Sequence, residues 1–560
     1  MGVFVCVSHY LCRSVVLRGI GMASFGGRCE LAVRGNIFAP LALCVRCHWL
    51  GSWQHMDVLA MAQKSLRTLV SDTMIYGVSS IVGRFLNYLL VPLYTYRIAA
   101  ESGSYGIVTN MYSITALMLV VLTFGMETTF FYFANKYKER SEVVFSTALA
   151  SVGGVAALFV LLLFCFVEPL AAWLNFGDHP EYLKIMGAVV ALDAFQSILF
   201  ALLRFQGRAW KFAFLKLAFI VCNIGLNLFV FLVAPGLKVS HPELMGWYSS
   251  SYQVGYIFIV NLICTAAVTL FFFPELRKLR GGIDLSLLRE MLGYTWPLLL
   301  LGIAGILNQV ADKICFRFIV PGTDGDVQLG IYGACTKIAM IMAMITQAFR
   351  YAYEPFVYGG GSGAKGKESQ ALVMKYFVMF ALLAFLVVMS YLDIFKYVVD
   401  SGYWEGLRVV PIVMMAEIFM SIYFNLSFWY KLIEQTWWGA VFSTVGCVVL
   451  LVVNFLFVPR YGYMACAWGG VAGYGICMLL SYFVGRRLAP VPYPVKTIAG
   501  YFVLAVGLYG MSRLWQPDLL WLRLSFNTVL LAIYVAFMLY NERILVRSLL
   551  GRFCRKRKGH

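Results

Sequence analysis

From residue 71 onward, apolar stretches of about 20 residues alternate with short polar loops. The stretches fall at 72–97, 105–133, 143–167, 183–204, 210–234, 250–273 and 294–320. They continue at 328–356, 371–392, 406–430, 436–458, 462–485, 497–514 and 520–541. A helix of about 20 residues crosses the roughly 30 Å hydrocarbon core of a bilayer. The pattern therefore predicts an all-α, polytopic membrane protein of about 14 transmembrane helices.

The loops orient these helices. With the N-terminal side cytoplasmic, Lys136, Lys138 and Arg140, then Arg204, Arg208 and Lys211, fall in inner loops. Arg277, Lys278, Arg280 and Arg289 follow, and later Arg350, Lys365, Lys367, Lys431, Arg486, Arg487 and Lys496. The outer loops hold scattered positives such as Lys238, Lys396, Arg460 and Arg513, with Glu168, Asp178, Glu181, Asp324 and Asp326 among their acids. This asymmetry is the positive-inside pattern, and an even number of spans puts both termini in the cytoplasm. The expected organisation is an N-terminal extension over 1–60, a six-helix bundle over 61–273 and a cytoplasmic linker over 274–293. A second six-helix bundle over 294–487 is followed by two additional transmembrane helices over 488–545 and a basic tail over 546–560.

Composition agrees. Hydrophobic residues make up 61% of the chain and charged residues 13%, about half the charged share of a soluble protein. The formal charge of +18 sits at helix ends, without a basic, aromatic-rich domain, so no nucleic-acid partner is expected. Residues 1–60 hold Cys6, Cys12, Cys29, Cys44 and Cys47 and lack a signal-peptide pattern. Cys44-Val45-Arg46-Cys47-His48 has the spacing of c-type haem attachment. No haem domain surrounds it, and the segment reads as an over-extended start before Met56 or Met61. The other cysteines lie mostly in apolar spans and read as packing residues.

The two halves repeat. Tyr105-Gly106 opens the second span and Tyr332-Gly333 opens the eighth, each after a hairpin of glycine and acidic residues. Internal repeats with a site between them are a common plan of transporters that alternate their access. The longer strings are Gly83-Arg84-Phe85-Leu86-Asn87-Tyr88 through Pro92-Leu93-Tyr94, then Ser104-Tyr105-Gly106 and Phe124-Gly125-Met126-Glu127. Arg204-Phe205-Gln206-Gly207-Arg208 and Asn308-Gln309-Val310-Ala311-Asp312-Lys313 complete the set. In their order and spacing, over roughly 70–490, the chain resembles the polysaccharide-exporter, O-antigen-flippase branch of the multidrug/oligosaccharidyl-lipid/polysaccharide exporter superfamily. The resemblance implies two six-helix repeat bundles around a central cavity, plus two C-terminal helices. It also implies flipping of an undecaprenyl-pyrophosphate-linked oligosaccharide from the inner to the outer leaflet of a bacterial inner membrane, alongside polysaccharide assembly machinery.

Ionisable residues inside a bilayer face a cavity or a partner, because insertion costs about 2.5–3.5 kcal/mol each. Arg84 is central in the first span. Lys313 and Arg317, four apart, share a helix face, and Lys337 lies at similar depth. With Lys216 nearer the inner end, these form a candidate lining for a pyrophosphate, held by charge-assisted hydrogen bonds. Two readings stay open for Lys216 and Arg317, each of which can instead snorkel to its nearer surface. The acids Glu127, Asp193, Glu417 and Asp312 are candidates for ion coupling, since a carboxylate in a cavity can gain and lose a proton as access alternates. Asp312 either orients a neighbouring cation or simply pairs with it. Asn223 and Asn227 are expected to bond across helices. No cofactor is expected, the energy coming from a proton or sodium gradient. Two alternatives share the architecture: a lipid II flippase and a multidrug or cation antiporter. A membrane-embedded glycan polymerase or acyltransferase is disfavoured, because such enzymes need a large outer loop or a buried His/Asp centre, and neither is evident in the sequence.

Overall fold

The structure, a computed structural model, describes residues 82–83, 85–86, 88–243, 245–277, 281–359 and 364–543. The 1–60 extension with its Cys-x-x-Cys-His string, the 546–560 tail and Arg84 lie outside the described residues. Among those described there is no strand, and thirteen helical segments are long and apolar enough to cross a membrane. They coincide with the second to fourteenth predicted spans. Of the first, the described part includes helix α1, Leu90–Arg97.

The first group comprises α2 (Ser104–Thr123), α3 (Met126–Lys136), α4 (Ser141–Cys165), α5 (Pro180–Phe205), α6 (Ala209–Leu228) and α7 (Gln253–Phe271). Within it α4 packs on α5, α5 on α2 and α7, and α7 on α6. The second group comprises α8 (Leu285–Ile319), α9 (Thr323–Gly359), α10 (Ala364–Ser390), α11 (Val410–Leu426), α12 (Trp437–Tyr461) and α13 (Tyr463–Leu488). Here α13 packs on α11 and α12, α8 on α12, and α9 on α11. The last two helices, α14 (Val495–Leu514) and α15 (Leu520–Asn541), pack on α10. The groups meet where α2 lies against α8 and α9.

Three local features set the geometry of that meeting. The second predicted span is broken at Phe124 and Gly125, whose φ angles are 35° and 76°. Glycine adopts such a φ freely, and a Cβ on Gly125 would lie 2.9 Å from Leu298 Cβ. The break turns α3 and brings Glu127 to its first turn. Second, α2 and α9 cross in backbone contact, since a Cβ on Gly106 would stand 1.9 Å from the carbonyl oxygen of Asp326. The paired Tyr-Gly strings of the two halves therefore mark the crossing point of their helices.

Third, the end of the expected 274–293 linker is helical and continuous with the next span. It is the start of α8, a single helix of 35 residues, about 52 Å long at 1.5 Å per residue. Asp284 caps it, accepting from the backbone N–H of Ser286 and Leu287. The first turns of α8 attach to the first group through Lys136–Glu290 at 2.6 Å, Arg140–Asp284 at 3.0 Å and the Thr129–Thr295 hydroxyl pair at 2.7 Å. Its later turns attach to the second, where Asn308 donates to the Ser443 carbonyl at 2.7 Å and Tyr474 to the Asn308 carbonyl at 2.8 Å. A composition-based boundary could not find this, because the polar run and the apolar run belong to one continuous helix.

Candidate functional site

A cavity of about 460 Å³ opens between the two groups, directly beneath the crossing of α2 and α9. Tyr94 of α1 and, from the first group, Tyr112, Ser113, Asp193, Asn223 and Asn261 contribute to its wall, and the second group contributes Lys313, Thr336 and Lys337. Lys313 and Lys337 come from different helices, α8 and α9, yet line one wall within electrostatic range of each other. Lys313 is compensated. Its ammonium sits 3.0 Å from an Asp312 carboxylate oxygen and 3.1 Å from the Gln309 carbonyl, and lies over the Tyr332 ring. Tyr332 donates to the same carboxylate at 2.7 Å. Lys337 has no hydrogen bond or ion pair among the described residues. An ammonium shielded from bulk water and facing a second ammonium is unfavourable by itself and favours an anion beside it.

Opposite stands Asp193 of α5, 3.5 Å from the Thr265 hydroxyl and facing the same cavity. Asn223 of α6 is anchored on this side. Asn227 donates to the Asn223 carbonyl at 2.8 Å, and Tyr94 donates to Asn227 at 3.0 Å. The asparagine pair thus does bond across helices, through Tyr94 of α1. Glu417 of α11 is half-buried and within electrostatic range of Lys313, and its carboxylate has no hydrogen-bond partner among the described residues.

The remaining expected site residues are placed elsewhere. Arg317 does not line the cavity: its guanidinium is buried against Asp326 at 2.7 Å and donates to the Asn175 carbonyl at 2.8 Å. Sharing a face with Lys313 put it four residues further along, past the cavity and into the contact that closes it. Glu127 is ion-paired with Arg204, whose guanidinium also lies over the Phe131 ring. Lys216 is exposed on α6 with its ammonium 4.1 Å above the Phe200 ring, in range of Asp193, Glu127 and Arg204. These three charges make a separate cluster beside the cavity rather than part of its lining. Asp312 pairs with Lys313 and, held by Tyr332, fixes that ammonium, so both readings of it describe one contact.

Sequence reasoning missed Tyr332 and Arg204. Tyr332 was visible as half of a repeated Tyr-Gly string, but its hydroxyl chemistry depends on Asp312, twenty residues away on another helix. Arg204 was counted as an inner-loop charge, although it belongs to the last turn of α5. A second cavity of about 430 Å³ lies between α8, α11 and α12, lined by Gln309, Tyr423, Phe424, Tyr430, Lys431 and Ser443 among others. Gln309 is one turn from Lys313, so α8 contributes to both cavities.

Residues 69–352 match the family described as polysaccharide biosynthesis protein. That is half of the chain. The chain belongs to this family. Lsg locus protein 1 of Haemophilus influenzae is 22% identical over 443 residues, covering 75% of this chain and 98% of that protein. Among solved structures, the lipid II flippase MurJ in an inward closed conformation aligns with a TM-score of 0.62 at 13% identity. It covers 84% of this chain and 99% of MurJ. An inward-facing multidrug transporter of the MATE family gives a TM-score of 0.56 at 13% identity, covering 74% of this chain and 95% of its own. At these identities the structures establish a shared fold. This member of the polysaccharide biosynthesis family is a multi-pass membrane protein with two helical groups around a charged cavity.

Proposed function

We propose that this protein is a flippase for an anionic, lipid-linked oligosaccharide, of the undecaprenyl-pyrophosphate class used for O-antigen and other surface polysaccharides. The single observation that carries the reading is Lys337, an ammonium without a described counter-ion, beside Lys313 on one wall of a cavity between two helical groups. A pyrophosphate placed there accepts charge-assisted hydrogen bonds from both lysines and relieves their mutual repulsion. Family membership in polysaccharide biosynthesis supports a glycan on that pyrophosphate. The wall of the second cavity, with Gln309, Tyr423, Tyr430 and Ser443, offers hydroxyl, amide and aromatic groups suited to sugars.

In this reading the work is rocking of the two groups about the cavity, with no bond made or broken, in a bacterial inner membrane with both termini cytoplasmic. Asp193 and Glu417 are the acids placed to couple the motion to a proton or sodium gradient, because both lie within reach of the cavity charges and neither is held in an ion pair as Glu127 is. A lipophilic cation, the cargo of a multidrug antiporter, would meet two ammonium groups on the same wall.

The test is translocation in proteoliposomes, read by how much undecaprenyl-pyrophosphate-linked oligosaccharide becomes accessible to a lectin on the far leaflet. Lys337→Gln is expected to slow it by roughly 10- to 100-fold, the worth of one or two hydrogen bonds to a charged group, with Lys337→Arg close to the parent. Parent and Lys337→Gln rates that coincide would remove the proposed site. Translocation of a fluorescent lipophilic cation in place of the glycan lipid would favour the antiporter.

A further inference from the structure

The cavity is closed at one end by a small set of contacts that the cargo reading leaves unexplained. This is the end formed by the 97–104 and 320–328 connections, which the charge pattern assigns to the outside. There, Arg317 at the end of α8 and Asp326 in the first turn of α9 form a buried ion pair, with side chains 7% and 11% exposed. Both belong to the second group. The same guanidinium also grips the first group, through the Nη2 that bonds Asp326. It donates to the Asn175 carbonyl at 2.8 Å, its carbon lies 4.0 Å from the centre of the Phe176 ring, and the Asn175 amide donates back to the Arg317 carbonyl at 3.3 Å. Asn175 and Phe176 follow the short helix Val167–Trp173, which connects α4 to α5. One residue beyond Arg317, Phe318 packs on Trp173 with ring centroids 5.4 Å apart. The Asn175 backbone has a φ of 61°, a left-handed conformation that asparagine tolerates better than most residues.

We infer that Arg317, pre-set by Asp326 and closed on the Asn175–Phe176 backbone, is the latch that holds the outer end shut. The inference follows from which contacts rocking must break. The Arg317–Asp326 pair lies within one group and stays intact through any rigid-body motion. The bonds to Asn175, the cation–π contact with Phe176 and the Trp173–Phe318 contact cross between groups, so each opening at this end breaks them together. Asp326 also supplies the backbone against which Gly103 and Gly106 of the first group rest. One residue therefore aims the latch and forms the surface it closes onto. An arginine is suited to this, because Nε and Nη2 together hold the carboxylate, so the Nη2 bond to the Asn175 carbonyl can break with the Asp326 pair kept. The latch rests on the rocking part of the proposed function and not on the identity of the cargo.

The test uses full-length protein in right-side-out vesicles, in a cysteine-depleted background carrying Ser113→Cys in the cavity wall. A membrane-impermeant maleimide is added from outside, with no cargo present. Arg317→Gln and, independently, Phe176→Ala are expected to raise labelling about tenfold by populating the outward-open state. Labelling equal to the parent in both, in protein that stays monodisperse in detergent, overturns the latch. Because loss of a buried charge can also loosen the fold, a second arm closes the contact instead. Trp173→Cys with Phe318→Cys, cross-linked by an oxidant, is expected to stop glycan-lipid translocation and regain it on reduction. Cross-linked protein that translocates at its reduced rate also overturns the latch, whereas failure of every variant and the parent to move the glycan lipid counts against the cargo, with maleimide labelling still deciding the latch.

Discussion

Lys313 and Lys337 are chemically alike and differ in what surrounds them. Asp312, Tyr332 and the Gln309 carbonyl fix the Lys313 ammonium, so it is a stationary charge with its own counter-ion. Lys337 has none of these, so on the proposed function it is the residue that an incoming anion would change most. The Tyr332 hydroxyl is correspondingly a support for Lys313, acting through Asp312. Tyr332→Phe removes one donor from a buried carboxylate and is expected to destabilise the protein by about 1–3 kcal/mol, seen as a lower unfolding temperature in detergent. Its effect on cargo affinity is expected to be smaller than that of Lys337→Gln. An unchanged unfolding temperature would mean that water replaces the tyrosine. Of the expected site residues, Lys313, Lys337 and Asp193 line the cavity; the sequence marks the two lysines by their depth in a span and Asp193 only as an acid within one. Arg317 had the same phase and a similar depth, and no local signal distinguished a cavity residue from one paired with Asp326 around the following turn. Glu127 and Arg204 lie 77 positions apart, which is why their pairing was not legible.

At the scale of elements, the helix spans were readable almost throughout, since bilayer thickness and hydrophobic length constrain each other tightly. The exceptions are breaks and joins. The interruption at Phe124–Gly125 falls inside a run that reads as one continuous span, and the join at the start of α8 crosses a polar stretch. The α8 start has a testable cap. Its Ser286 hydroxyl, the Leu287 N–H and Arg140 hold the Asp284 carboxyl down at about 2. A carboxyl depressed in the folded state contributes stability that is complete above its ordinary range near 3.9 and is lost as the pH falls through the folded value. Amide exchange at 286–288, after correction for its intrinsic pH dependence, is therefore expected to stay constant from pH 8 to pH 5, and Asp284→Ala to accelerate it across that window. Exchange that accelerates between pH 8 and pH 5 in the parent would contradict this cap. The other critical joint is the helix crossing. Gly106→Ala places a methyl group against the Asp326 carbonyl, and overpacking of this kind costs about 1–3 kcal/mol. It is expected to lower the unfolding temperature and raise outside labelling of the cavity, because relief comes from parting α2 and α9. A Gly106→Ala protein with parental stability and labelling would mean that the crossing adjusts without opening.

For the whole molecule, α14 and α15 are bound to α10 along its length. Lys375 pairs with Glu542 at 2.6 Å toward one end and Arg523 with Asp393 at 2.8 Å toward the other, while Tyr534 donates to the Met379 carbonyl at 3.0 Å between them. These two helices therefore move with the second group. Glu542→Gln leaves Lys375 buried without its charge partner, and it is expected to make the α14–α15 pair protease-sensitive before the rest of the chain. Simultaneous cleavage throughout would contradict that. At this scale two helical groups share α8 around a cavity in which Lys337, among the described residues, has no counter-ion. The sequence disclosed the two groups and the charge, and the coordinates supplied which charges remain free to act. The most direct measurement is the affinity of purified protein for undecaprenyl pyrophosphate against uncharged undecaprenol, in parent and Lys337→Gln. The account predicts that the parent prefers the pyrophosphate by at least about tenfold, the equivalent of 1.4 kcal/mol, and that Lys337→Gln loses most of that preference. Equal affinity for the charged and uncharged lipids in the parent, or an undiminished preference in Lys337→Gln, would contradict it.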